Sequence, residues 1–92
     1  MPIRYTNRLK RDYKREKTGL HGKKLHAMLE QFISALRENK PLPQRYFDHS
    51  LSGEWSDYRD CHLKPDLVLI YRKLDDGALE LVRMGPHSEL GL

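Results

Sequence analysis

The hydrophobic period of this chain changes once, across Pro41-Leu42-Pro43, and that change limits what it can fold into. Before the prolines, Leu25, Met28, Leu29, Phe32, Ile33 and Leu36 recur at the i, i+3, i+4, i+7 spacing that lines one side of an α-helix. After them, apolar residues follow the period of two that belongs to extended strands. The prolines end the helix because proline has no N–H for the hydrogen-bond ladder and its ring clashes with the preceding turn. Helices first and strands second make an α+β fold, with the helices packed on one face of a sheet.

Smaller signals mark out the elements. Ile3 to Thr6 reads as a short first strand, and Arg8 to Lys17 as a helix with Asn7 as its N-cap. Gly19 and Gly22 break that helix. A second helix is expected from His21 to Asn39, antiparallel to the first. Arg45 to Leu51 and Tyr58 to Leu63 can be extended. Asp66 to Lys73 contains Leu67, Val68, Leu69, Ile70 and Tyr71, apolar on both faces, which predicts a central buried strand. Asp75-Asp76-Gly77 is a hairpin turn. Ala78 to Met84 returns as the last strand, Gly85-Pro86 ends the sheet, and His87 to Leu92 is a short tail. The expectation is a single domain over residues 1–92. An N-terminal strand and a helical hairpin pack on one face of a small antiparallel sheet, and the other face is left for function or for a partner.

Charge is unevenly spread. Residues 1–46 hold 12 Lys and Arg against 4 Asp and Glu, whereas residues 47–92 hold 5 against 9. A basic half suggests a polyanionic partner, nucleic acid being the commonest, although a solvated charged face explains the same numbers. No run approaches the ~20 apolar residues of a membrane span. The N-terminal residues show no apolar core of a secretion signal, so the expected setting is the reducing cytoplasm. The single cysteine makes neither an internal disulfide nor a thiolate zinc site.

His49, His62 and His87 fall where loops or strand ends meet, and Asp66 lies four residues after His62, across Lys64-Pro65. A meander brings neighbouring strand ends together, so all four can line one edge. Imidazole takes or gives a proton near neutral pH, and a carboxylate orients it or acts as a base. Such a set can cleave RNA without metal, by removing the ribose 2′-OH proton and protonating the leaving 5′-oxygen. The plainer alternative is surface or structural histidines. Metal ligation has little support, since His62 and Asp66 alone have a local i, i+4 ligand spacing and a proline lies between them. His21 and His26 read as solvated or capping residues. Trp55 reads as a core or hinge anchor, Cys61 as a small core residue, and Arg59 as paired to an acid. Arg83 is either a phosphate-binding cation or half of a salt bridge.

These residues also form a pattern. PLPQRYFDHSLSGEWSDYRDCHLKPDLVLIY, from Pro41 to Tyr71, and RMGPHSEL, from Arg83 to Leu90, resemble the YafQ-type branch of the RelE/ParE toxin superfamily. Its members are small ribosome-dependent endoribonucleases of bacterial toxin–antitoxin modules. The shared features are a proline-rich stop, Asp-His-x-Leu-x-Gly-x-Trp, Tyr-Arg-Asp-x-His, Pro-Asp, a hydrophobic strand ending in Tyr, and a terminal Gly-x-His. The resemblance implies a RelE-like fold and a catalytic set of His49, His62, Asp66 and His87. His87 would be the general acid and Asp66 or His62 the base, while His49 polarises or orients. It further implies docking in the ribosomal A site through Lys10, Arg11, Lys14, Arg15, Lys17, Lys23, Lys24 and Arg83. The implied partners are mRNA, ribosomal RNA and an acidic or amphipathic antitoxin, with operator DNA reached only through the antitoxin. No cofactor, metal or membrane enters. The chain departs from the pattern in carrying Leu67 after the Pro-Asp pair and in ending Leu90-Gly91-Leu92, where an aromatic often stands. A gyrase-inhibiting toxin of the same fold and a non-catalytic RNA-binding module are the alternatives. The histidine set argues against the first, and the low aromatic content against the second.

Overall fold

A computed structural model describes residues 2–38 and 42–90. The expected helix end at Asn39, the stop at Pro41 and the terminal Gly91-Leu92 lie outside the described residues. Strand β1 (Ile3–Tyr5) leads into helix α1 (Asn7–Lys17). Thr6, not Asn7, is the N-cap, because its hydroxyl accepts from the Leu9 amide at 3.0 Å while donating to the Val82 carbonyl at 2.7 Å. One side chain thus satisfies a free amide of the first turn and ties the helix start to the sheet.

Helix α2 (Leu25–Arg37) begins later than the apolar pattern suggested. Residues 21–24 form turns instead of a helical turn. Gly22 approaches α1 so closely that a Cβ would sit 1.9 Å from the Lys17 carbonyl oxygen, and this contact sets the reversal between the helices.

The strands that follow are β2 (His49–Ser50), β3 (Arg59–Lys64), β4 (Leu67–Lys73) and β5 (Leu79–Gly85), and the short helix α3 (His87–Leu90) comes last. The expected strand over Arg45–Leu51 shrinks to two residues, because Gln44–Tyr46 turns as a 3-10 helix first. Sheet order is β1-β5-β4-β3-β2. The meander is antiparallel as expected, but β1 runs parallel to β5, so the sheet is mixed. A parallel neighbour needs a long crossover, which the two helices and the meander supply.

Strand β4 is central and buried on both sides. Leu67, Leu69 and Tyr71 join Leu9, Leu25, Leu29, Phe32 and Ile33 under the helices. Phe32 meets the Tyr71 ring edge-on at 5.0 Å. Cys61 lies in this core, as its strand phase predicted. The opposite face is not bare. Val68, Ile70 and Leu90 form a second cluster, with Leu51, Trp55, Tyr58 and Val82 packed against it. Trp55 is therefore an anchor, edge-on to Tyr58 at 5.1 Å. No helix among the described residues is long and apolar enough to cross a membrane.

Candidate active site

Register brings the histidines together. His62 on β3 pairs with Val68 on β4, which pairs with Gly85 on β5. β5 ends at Gly85 with φ 152°, and a Cβ there would stand 2.7 Å from Arg15 Nη2. Pro86 and His87 then turn back over the sheet, placing the His62 and His87 rings 5.1 Å apart. His49 pairs with Asp60, two residues before His62. The three histidines share an open groove of about 690 Å³ with Phe47, Asp48 and Pro65.

The tautomer of His49 follows from its surroundings. Its Nδ1 lies 2.8 Å from the Phe47 carbonyl oxygen, which only accepts, so Nδ1 carries the proton and Nε2 is free for substrate. Asp60 Oδ1 also lies 3.0 Å from Nδ1. That oxygen is buried and has no hydrogen-bond partner, so it faces the same ring nitrogen while the Nδ1 proton is directed to the Phe47 carbonyl. Asp48, the next residue along, is clamped. Arg59 donates to it through Nε and Nη2, the latter at 2.8 Å, and the Tyr71 hydroxyl donates to its other oxygen. Arg59 thus has its acid, and its guanidinium is held above its ordinary value by that bond. Burial, together with Asp48, pushes the Tyr71 phenol upward as well.

Asp66 stands apart. It does not line the histidine groove but accepts from His21 Nε2 at 2.7 Å, with its side chain 60% exposed. The bond to His21 holds its carboxyl below the usual range. Neighbours on the tight β3–β4 turn point different ways, and Pro65 faces the groove in its place. His21, expected to be solvated or capping, is this carboxylate's partner.

Arg83 and Arg15 depart from the expected RNA-contact set. Arg83 grips Asp12 through Nε at 2.9 Å and Nη2 at 3.0 Å, leaving its side chain 14% exposed. Of its two sequence readings, the structure shows the salt bridge. Arg15 donates to the Met84 carbonyl at 3.0 Å and lies 3.2 Å from Asp12. Burial alone would raise the Asp12 carboxyl. The Arg83 bonds, the Met84 amide and nearby positive charge outweigh it and hold Asp12 below its ordinary value. Lys10, Arg11, Lys14, Lys17, Lys23 and Lys24 are exposed as expected. Lys17, Lys23, Lys24 and Lys64 surround a hollow at the α1–α2 connection.

Sequence reasoning missed Phe47, Asp48, Asp60 and Asp12. Asp48 and Asp60 carried early signals, Asp48 as the acid of the Asp-His pair and Asp60 as an acid two residues before His62 and so on the same strand face. Among the described residues, no group of three or more His, Cys, Asp or Glu is arranged to hold a metal ion.

A mixed five-stranded sheet with two long helices on one face is also the fold of solved bacterial toxins. A copper-bound mutant toxin from Helicobacter pylori superposes with a TM-score of 0.81 at 32% identity, covering 98% of each chain. YafQ in the Escherichia coli DinJ–YafQ complex superposes at 0.74 with 36% identity, covering 96% of this chain and 93% of that one. Residues 1–91 match the family described as the bacterial toxin of type II toxin–antitoxin system, YafQ, and the chain belongs to that family. It is 52% identical over 50 residues to the mRNA interferase toxin YafQ of Escherichia coli K12, a match covering 54% of this chain and 53% of that protein. The match thus spans about half the length of that curated relative.

Proposed function

We propose that this chain is a ribosome-dependent endoribonuclease that cleaves mRNA in the ribosomal A site and is restrained by a cognate antitoxin. The observation that carries this reading is the convergence of three imidazoles in one open groove. The name of the E. coli relative, an mRNA interferase, and its solved complex with DinJ support the enzyme and antitoxin parts.

The mechanism uses the substrate's own nucleophile. His62 takes the proton of the ribose 2′-OH, and the 2′-oxygen attacks the adjacent phosphorus. The P–O5′ bond breaks, and His87 protonates the departing 5′-oxygen. The products are a 2′,3′-cyclic phosphate (or its hydrolysed 3′-phosphate) and a 5′-OH. His49 polarises the phosphoryl oxygens when both its ring nitrogens carry protons, Nδ1–H held by the Phe47 carbonyl and Nε2–H donated to the substrate. Asp66, bound to His21 in the free chain, takes no proton-transfer role in that state. Each acid or base is worth roughly 10²–10⁴-fold. The ribosome supplies orientation by holding the message in a bent path. The exposed lysines contact ribosomal RNA phosphates, and such contacts weaken with salt. The reaction belongs in the cytoplasm, where ribosomes are, and draws on no cofactor.

His87→Ala should abolish growth inhibition and mRNA cleavage while shifting stability by less than about 0.5 kcal/mol, as expected of an exposed residue. Growth, mapped mRNA 5′ ends and plasmid supercoiling are read together at matched expression. A fully toxic His87→Ala chain overturns the assignment, and altered supercoiling with intact message favours gyrase inhibition. On programmed ribosomes, one 2′-deoxy substitution 5′ to the scissile phosphate should stop cutting. Chelation of divalent ions, with polyamine preserving the ribosomes, should leave cutting unchanged. Products bearing a 5′-phosphate would refute the mechanism.

A further inference from the structure

We propose that Phe47 is the base-stacking residue of the groove: its ring receives a nucleobase of the message beside the scissile phosphate. This rests on the mRNA-cleaving reading above.

Exposure is the first reason. The Phe47 side chain is 66% exposed, while Phe32, Tyr46 and Tyr71 are buried and Tyr13, Trp55 and Tyr58 pack against the two apolar clusters. The other large exposed aromatic, Tyr5, sits on β1 at the far edge of the sheet. Leu67 and Leu90, near the groove in sequence, are aliphatic and buried, so neither offers a π face.

The second reason is backbone strain. Phe47 has φ 48° and ψ 41°, the left-handed region that an aromatic residue rarely adopts. Its surroundings hold it there. The Phe47 amide donates to Gln44 at 3.0 Å, its carbonyl accepts from His49, and Asp48 is clamped by Arg59 and Tyr71. A strained residue that leaves most of its apolar surface in water points to a role for its side chain outside folding.

Position is the third. The ring stands edge-on to His62 at 5.8 Å. Phe47, His62 and Pro65 wall both the histidine groove and an adjoining hollow that Arg45 and Lys64 complete. Lys64 also borders the lysine-rich hollow at the α1–α2 connection. A flat apolar ring between proton-transfer groups on one side and cations on the other matches a nucleotide strand, which alternates base and phosphate. Stacking on a π face also tolerates several bases.

The test measures kcat and KM on ribosomes programmed with a short message, for the wild type and four variants. Phe47→Ala should raise KM about 10-fold, within the range that stacking of one base supports, and leave kcat within about twofold. Phe47→Trp should retain the wild-type KM, whereas Phe47→Leu, equally apolar but without π electrons, should behave as Phe47→Ala. Phe47→Gly relieves the left-handed backbone, so its Tm should hold or rise while KM suffers as in Phe47→Ala. Messages with a single abasic nucleotide at each position near the cut should include one on which wild type and Phe47→Ala have equal KM. A Phe47→Ala or Phe47→Leu chain that cleaves like the wild type overturns the assignment, as does a penalty that persists on every abasic message. So does a Phe47→Ala chain of normal cleavage that escapes growth rescue by its co-expressed antitoxin, since the ring would then serve a protein partner. A wild type that leaves message intact overturns the function reading, and this assignment with it.

Discussion

Single side chains in this molecule hold positions through bonds that their neighbours supply. Asp48 is the clearest case, bonded by Arg59 from β3 and Tyr71 from β4 while its two chain neighbours, Phe47 and His49, face the groove. Removing one donor leaves a partly buried carboxylate oxygen short of a partner, at a cost of about 1–2 kcal/mol. Tyr71→Phe should therefore lower unfolding stability by about that amount in urea melts followed by circular dichroism. An unchanged midpoint would show that water replaces the hydroxyl. Cys61 has the opposite character. It is buried, and desolvation first, then the charges of Asp48 and Asp60, pushes its thiol well up. It should react with a thiol reagent only as fast as the chain unfolds.

At the scale of elements, the contact between α1 and the end of β5 decides where His87 emerges. The helix is largely polar. Leu9 and Asp12 are its buried residues, and Asp12 accepts from Arg83 and from the Met84 amide at 3.1 Å. Asp12→Ala strands the Arg83 guanidinium and should cost about 3 kcal/mol, the low end for breaking a buried pair because Arg83 keeps a solvent-facing edge. The pH dependence follows from the same carboxyl. Its folded value lies below the ordinary 3.8, so its contribution is complete above that pH. The contribution fades as pH falls through the folded value. Acid titration of Asp12→Asn should show a shallower stability loss below about pH 4 than the wild type. Parallel curves would detach the clamp from acid unfolding.

The whole molecule is electrically lopsided. Lys10, Lys14 and Lys17 lie exposed along α1, Lys23 and Lys24 continue them, and the groove is lined by three histidines with Phe47, Pro65 and Asp48. On the proposed function, phosphate contact and proton transfer would therefore occupy different surfaces. Reversing Lys14 and Lys17 to Glu should reduce toxicity and raise KM for ribosome-bound message without changing the bell-shaped pH profile of the acid–base pair. Naked RNA should be cut weakly by wild type and variant alike. Equal activity on naked and ribosome-bound message would contradict this division.

Local periodicity was enough to place α2 and β4, because a helical stripe and a strand apolar on both faces are properties of consecutive residues. The hairpin turn at Gly77 and the core position of Cys61 followed in the same way. Residue type and position, and then the family pattern, marked His49, His62, Asp66 and His87, of which the three histidines line one groove and Asp66 does not. Partner choice was beyond local reading. Arg83 finds Asp12 from 71 residues away, and Asp66 finds His21 from 45, so their roles depend on which elements pack together. Thr6 displaced Asn7 as the cap through a bond that also needs Val82. The parallel pairing of β1 with β5 and the approach of His87 to His62 are matters of register between distant segments. Phe47 is the sharpest instance. As a residue type it belongs in a core, and only a left-handed turn fixed by tertiary hydrogen bonds leaves its ring facing water.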